Sequence, residues 1–453
     1  MIYIILVFGL IIRLISINQS LWLDEATSAL VTRMPWIQIF SKFLPGDFHP
    51  PFYYLLLKAW SSLFGTGEIT LRVPSVIFGV VTIYLVYLIT KDLFNKKAAF
   101  ISSLLLATSG LHVYYSQEAR MYSLAAFLTA LSVFSFVKTL KRGTRGDWVL
   151  FTLSIVFLFL TDYLAVLILP AYWIYVAKNK KQKSYLKRFV TSHIILVLVV
   201  LSWLPTFAKQ LSLGFSVSTT SPSWWNILGL TNLKNILLIP IKFMIGRVSF
   251  YNKSIYGLVV GGSALIFGYP LLKSLSNKKP KLIWLWLAVP TIFAIILGIK
   301  ISILSYFRLL FVLPAFYVLV AYGITYLKKP WISIFVCLVI ALNILTTSYY
   351  LFNTRFHRED WRLAAEIIDN QTIVFPSDFQ KEALTYYKKA DNIVNINNFT
   401  AGAQAVWLSR YVWQVADADN LAVSKLKSLG YNKVSEADFN GVVFWKYEYE
   451  NSN

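Results

Sequence analysis

The chain has a single cysteine, Cys337, and it lies inside an apolar run, so no intramolecular disulfide and no cysteine-based metal site can form. Acids are scarce as well: 21 Asp and Glu stand against 43 Lys and Arg, giving a formal net charge of +22. That excess does not point to nucleic acid, because the basic residues fall in short clusters between apolar runs and form neither a continuous basic face nor a recognition motif. No internal repeat is visible. Apolar residues are what the chain has in quantity. It is 57% hydrophobic and 17% aromatic over 453 residues, with a mean hydropathy of +0.60. The core of a soluble domain does not need this much, so the first partner to be inferred is a lipid bilayer.

A spanning helix takes about 20 mostly apolar residues. By that rule spans are expected near 1–21, 72–90, 98–115, 121–138, 148–161, 163–177, 189–205, 255–272, 282–299, 309–327 and 331–351. The prediction is a polytopic α-helical membrane protein of about 11 transmembrane helices. The pair at 148–177 is the least distinct, since only Thr161 and Asp162 interrupt it. Residues 1–17 lack a charged leader and a small-residue cleavage site, and read as a retained first helix. Every second connection is Lys-rich: 91–97, 138–147, 178–188, 273–281 and 328–330. Cytoplasmic loops carry that excess, so the N-terminus is expected in the cytoplasm of a cell-membrane protein and the other connections outside.

Three outward segments exceed a minimal turn. Loop 22–71 contains amphipathic stretches suited to the membrane interface, and loop 206–254 contains "SPSWW" and "NLKNILLIPIKFMIG". From residue 352 charges appear throughout, and "TIVFPS", "NIVNIN", "AVWLSRYVW" and "GVVFWKYEYE" read as strands beside two helical stretches. The predicted division is a transmembrane unit, 1–351, and a small soluble α/β domain, 352–453, on the outer side.

Against so few acids, the outward ones draw attention. "LWLDEATSAL" places Asp24 and Glu25 together where the first helix leaves the bilayer. Either is explained by a helix N-cap or interfacial charge, or by a cavity that uses it. In "GDFHPPFYYLLLKAW", Asp47 and His49 lie two apart, so an extended segment puts both side chains on one face. Such a pair can bind a divalent metal with a third ligand, or hydrogen-bond phosphate or sugar. "YYSQEARMYSLAAF" adds Glu118 and Arg120 at a tight turn, while Arg72 and Arg308 stand at helix mouths where anchoring arginines are common. Together these groups meet the demands of transfer from a lipid-linked phosphate donor. Arginines match the oxygens of a leaving phosphate, and a carboxylate takes the proton of an attacking hydroxyl.

"LWLDEATSAL", "DFHPPFYYLLLKAW", "LRVPSVIFG" and "YSQEARMYSLAAFL", in this order, resemble the GT-C glycosyltransferases of the protein O-mannosyltransferase-like group (glycosyltransferase family 39), with prokaryotic members the nearest in appearance. The resemblance is specific over roughly the first 140 residues. Beyond them it rests on helix number, "YFRLLFVLPAF" and a tail opening with "REDWRLAAEII". It implies an inverting transfer of a sugar from a polyprenyl-phosphate sugar donor to an extracytoplasmic acceptor. Asp24 then matches the base, with Glu25 beside it as a second catalytic or positioning carboxylate. Asp47, His49, Arg72, Glu118, Arg120 and Arg308 match substrate-binding positions, and related lipid-modifying members put a metal ligand where His49 stands. No cofactor other than that divalent metal is implied. The long carbohydrate-binding insertion of eukaryotic protein mannosyltransferases is missing, so protein, lipid and glycan acceptors all stay open.

The rival reading is a transporter or flippase for a lipid-linked or anionic substrate. Transporters place charges near the bilayer midplane and often carry repeats. Here the acids gather at the outer border. A scaffold with an outward interaction domain leaves the Asp-Glu and Asp-x-His clusters without a role.

Overall fold

The computed structural model describes residues 1–449 apart from 180, 221–224, 226–228, 277–278, 369–370 and 389–391. Most of "SPSWW" therefore lies outside the described residues. A helix stands at each of the eleven expected stretches. Among the described residues, five are long and apolar enough to cross a membrane: Glu68–Leu93, Tyr122–Lys141, Lys183–Thr219, Lys253–Leu275 and Lys329–Phe352. Lys96–Thr108 and Gly110–Ser116 make a sixth if this pair, bent by 61°, is one span. Ile2–Leu14, Ala165–Lys178, Lys281–Leu297 and Leu310–Ile324 are apolar but shorter.

Local chemistry cuts the shorter helices. Ile2–Leu14 stops because Ser16 takes a left-handed φ of 56°, and the carbonyls that follow are claimed by Arg72. The 148–177 stretch breaks at Thr161–Asp162, where the Asp162 carboxylate accepts the Leu164 N–H at 2.8 Å. At the bend after Thr108 the freed Ala107 carbonyl accepts from Arg13 Nη1 at 3.1 Å. The same guanidinium donates to Gly9 O at 2.8 Å and Ser116 Oγ at 3.1 Å and meets His112 Nδ1 at 2.6 Å. A buried arginine thus serves as a cap for a broken helix. Glu68–Leu93 passes close by, and a Cβ at Gly79 would lie 2.2 Å from Ser116 Oγ.

Two spans make the core: the apolar windows of Glu68–Leu93 and Tyr122–Lys141 are 61% and 72% buried. Those of Lys183–Thr219, Lys253–Leu275 and Lys329–Phe352 are only 17–22% buried, so their faces are left for an apolar solvent. The basic connections meet at one end of the bundle. Lys138 and Lys141 reach Asp92 at 2.7 and 3.4 Å, and Arg188 donates to Gly143 O at 2.8 Å. The acids and arginines of interest collect elsewhere, on the connections predicted to face outward.

The C-terminal part folds as a five-stranded sheet of β1 (Thr372–Phe375), β2 (Ile393–Asn395), β3 (Ala405–Ser409), β4 (Tyr431–Phe439) and β5 (Val442–Tyr449), in the order β2-β1-β3-β5-β4. β1 runs parallel to β2 and β3, and β5 antiparallel to β3 and β4. Four of these strands match the sequence reading. β4 does not, because "YNKVSEADF" is an edge strand with exposed residues on both faces and no alternation to detect. Helix Leu421–Ser428 covers one face through Leu426, and Trp361 of helix Trp361–Ile367 covers the other. The sheet unit docks on the first long loop. Tyr387 OH donates to Glu68 and accepts the Leu21 N–H at 2.7 Å, Arg362 pairs with Glu68 at 2.7 Å, and Tyr386 OH donates to Thr66 O at 2.6 Å.

Candidate active site

The segment leaving the first helix is held by Arg72, which enters from Glu68–Leu93. Its Nη1 donates to the carbonyls of Ile17 (2.7 Å) and Gln19 (2.5 Å), and its Nη2 to that of Ser20 (3.0 Å). The remaining N–H groups grip the Glu25 carboxylate at 2.8 and 2.5 Å. Glu25 also accepts the Ala119 N–H at 2.7 Å and pairs with Arg358 at 3.2 Å. Arg72 and Glu25 are both fully buried. Burial pushes the Glu25 carboxyl up, but Arg72 and Arg358 outweigh it and hold it below the usual carboxylate range. This pair is internal. Arg72 has no donor left for a phosphate, and Glu25 faces no solvent, so the substrate contact and catalytic role read for them from sequence do not fit their surroundings.

Asp24 lies on a different face of the same helix, Leu23–Arg33. It is not the N-cap, a position held by Trp22, although an acid in the first turn suits the helix dipole. Its side chain is 39% exposed and its Oδ2 lies 3.7 Å from Arg120 Nη2. Arg120 is buried in the turn after Gly110–Ser116. Its Nη1 donates to Tyr54 OH at 3.2 Å, and to Ser28 Oγ and Asp24 O at 3.4 Å, while its Nε has no partner.

Asp47 and His49 do share one face of an extended segment. His49 Nδ1 lies 3.2 Å from Asp47 Oδ2, and Tyr54 OH donates to the same oxygen at 2.7 Å. Pro51 opens helix Phe52–Phe64 and supplies that tyrosine. Burial raises the Asp47 carboxyl, but His49 and Arg120 overcome it and bring it to about 2. Gln210, on the helix beginning at Lys183, fixes the segment by donating to Leu44 O at 2.7 Å and His49 O at 3.2 Å. A divalent metal at His49 does not fit. Among the described residues no three of His, Cys, Asp and Glu are grouped to hold an ion, and the imidazole has the Arg120 guanidinium 3.4 Å away.

Glu118 is buried and pairs with Arg358 Nη2 at 3.4 Å, leaving its other oxygen unpartnered. Burial, with Glu25 adding to it, pushes its carboxyl up to about 7 despite Arg358. Arg308 is half-buried and donates to Ser302 O at 2.7 Å. The adjacent Phe307 ring packs 5.5 Å from Tyr122 and 6.1 Å from Tyr115, which brings Arg308 to the same turn. Asp162 builds its own turn, as described above, and burial pushes its carboxyl up.

Two members were not picked out in the sequence. Arg247 keeps an exposed side chain yet donates to Tyr114 OH at 2.5 Å and lies 4.6 Å over that ring. It is set there by Gly246, whose φ is 67° and whose Cβ would meet Gly110 C and Leu111 N at 3.2 Å. A side chain at 246 has no room, so the "GR" pair after an amphipathic helix was the available signal. Arg358, in "RFHRED", gave no local signal, since its partners are Glu25 and Glu118.

The family model described as "Dolichyl-phosphate-mannose-protein mannosyltransferase" matches residues 48–205. YkcB of Bacillus subtilis (strain 168), itself only provisionally assigned as a mannosyltransferase, is 27% identical over 201 residues, 41% of this chain and 28% of that one. The chain thus spans little more than a quarter of that relative's length. ArnT from Cupriavidus metallidurans, solved with undecaprenyl phosphate, superposes with a TM-score of 0.61 at 13% identity over 98% of this chain and 96% of that one. The Archaeoglobus fulgidus oligosaccharyltransferase AglB, solved with an inhibitory peptide and a dolichol-phosphate, gives 0.55 at 13% identity over 98% and 74%. The resemblance to mannosyltransferase-like GT-C proteins is borne out, and at these identities the solved structures show that the fold is shared.

Proposed function

We propose that this chain is a multi-pass glycosyltransferase of the cell membrane, which moves a sugar from a polyprenyl-phosphate sugar to an acceptor outside the cytoplasm with inversion at the anomeric carbon. One observation carries the assignment of the base. Of the carboxylates gathered around Arg120, Asp24 is the accessible one: its side chain is 39% exposed, against 15% for Asp47, 1% for Glu118 and 0% for Glu25. Asp24 takes the proton of an acceptor hydroxyl as that oxygen forms its bond to C1. The bond from C1 to the phosphate oxygen breaks with its electron pair, and the polyprenyl phosphate departs. Because that phosphate is a good leaving group, no general acid is needed. Arg308 and the exposed Arg247 neutralise it, with Arg120 beside the base. Glu25 positions the helix that carries Asp24.

The boundary near 351 and 352 separates the catalytic membrane unit from the sheet unit, and about eleven helices cross or enter the bilayer with the basic end in the cytoplasm. Segregation of the basic connections from the acid and arginine cluster supports this arrangement. The cluster's place on connections, away from the middle of the spans, favours transfer over transport.

The test is incubation of purified protein with radiolabelled polyprenyl-phosphate sugars and candidate acceptors. Asp24→Asn is expected to lower transfer by about 100-fold or more, the scale of a lost general base, while donor binding and expression persist. Turnover of Asp24→Asn at the normal rate would end the assignment of the base, and label that changes side without leaving its lipid would favour a flippase.

A further inference from the structure

Glu25 and Glu118 are two carboxylates in one site, at 0% and 1% exposure. Like charges buried together repel strongly unless a cation lies between them. The cation here comes from the opposite end of the chain. Arg358 meets Glu25 Oε2 through Nε at 3.2 Å and Glu118 Oε2 through Nη2 at 3.4 Å. Its backbone is fixed on both sides. Its N–H donates to Gln19 Oε1 at 3.0 Å, and its carbonyl accepts from Asn440 Nδ2 at 2.9 Å. Asn440 and Gly441, at φ of 53° and 96°, form the tight turn between β4 and β5, and Asp360 N–H donates to Phe439 O at 3.0 Å. A hairpin of the sheet unit therefore presents Arg358 to the membrane unit.

The two carboxylates bracket the residues that matter. Glu25 follows Asp24 in the helix and takes the N–H of Ala119, while Glu118 and Arg120 flank that same alanine. We propose that Arg358 is a positioning residue for transfer, which bridges Glu25 and Glu118 and so seats the turn carrying Arg120 against the helix carrying Asp24. The inference rests on the transferase reading for its consequence in activity, and on the buried triad alone for its consequence in stability. The C-terminal unit is then a structural part of the active site, beyond any role in binding acceptor.

A double-mutant cycle tests it. Arg358→Gln is expected to lower kcat by about 100-fold, the cost of a displacement near 1 Å in a reacting geometry, with KM for the donor changed by less than about threefold. Arg358→Lys should recover only part, since a point charge cannot span two carboxylates as a guanidinium fork does. Adding Glu118→Gln to Arg358→Gln removes the charge that the arginine balances, and should recover about tenfold in kcat and raise the melting midpoint above the additive value. Wild-type rates in Arg358→Gln, or a double variant no better than the single in both readouts, would overturn the proposal. If Arg358→Gln aggregates, a monodisperse double variant supports the bridge and an aggregated one rejects it. A wild-type chain that transfers nothing but shows coupled melting sinks the transferase reading alone. An active chain with additive melting and no recovery sinks this inference alone.

Discussion

Asp24 and Glu25 are neighbours in sequence and opposites in environment. Successive helix positions turn by about 100°, which sends Asp24 toward Arg120 and solvent and Glu25 into a closed set of two arginines and a peptide N–H. The resemblance singled out Asp24 as the base, but the residues alone could not show which member of the pair was free, because that depends on Arg72 and Arg358. The Asp47 and His49 contact was legible, since a spacing of two in a stretch kept extended by prolines fixes a shared face. Arg247 and Arg358 were not, each being one among 43 Lys and Arg with partners far along the chain.

The titration of these acids has opposite signs. Glu118 is raised from 4.5 to about 7 by burial, so the folded chain holds this proton to higher pH than the unfolded chain does and carries the charge once pH passes about 7. Its contribution to stability is full below about pH 4.5 and is lost as pH rises through about 7. Asp47 is lowered from 3.8 to about 2, so its contribution is present above pH 3.8 and lost as pH falls through about 2. The melting midpoint of the wild type, measured against Glu118→Gln, is therefore expected to fall between about pH 4.5 and about pH 7. An offset that stays flat or rises across that interval would contradict the buried placement of Glu118.

At the scale of elements, the broken pair Lys96–Thr108 and Gly110–Ser116 sets the site. The break lets the chain turn toward Gln117–Arg120, and Gln117 then donates to Arg13 O at 3.0 Å and Ile15 O at 2.6 Å. Gly79 allows the neighbouring helix to approach that close. Gly79→Ala would place its Cβ 2.2 Å from Ser116 Oγ and 2.9 Å from Ser116 Cβ, an overpacking expected to cost about 1–3 kcal/mol. Pairing it with Ser116→Gly clears both atoms, so a double variant that melts above Gly79→Ala would identify the clash. No gain would mean that the helices separate freely there. Hydropathy found both halves of this element but not the bend, because Ser109, which accepts the His112 N–H at 3.4 Å and so caps the second half, is one small polar residue in an apolar run. In the sheet unit, Asn440-Gly441 was a readable turn signal, but β4 before it carries too little apolar pattern for a strand to be inferred.

At the scale of the molecule, a helix stands at each of the eleven apolar runs, while length and composition single out five or six spans among the described residues. The difference is made by polar groups that shorten helices from within, which a hydropathy window averages away. The helix Lys183–Thr219 departs in the other direction. At 37 residues it is about 55 Å long, against a hydrocarbon layer of about 30 Å. Most of its surface faces away from the protein, and its Gln210 holds the carbonyls of Leu44 and His49. Such a rod adapts to a thicker or thinner bilayer chiefly by changing its tilt, and any tilt moves the loop that Gln210 grips. Reconstituted in phosphatidylcholines of 14-carbon and 18-carbon chains, the proposed transferase is expected to differ in kcat by about twofold or more, at fractions of a kcal/mol per Å of mismatch. Equal rates in the two bilayers would show the loop to be insulated from that tilt. A helix with most of its surface turned outward that also holds the His49 segment through Gln210 would make membrane thickness an input to the proposed transfer.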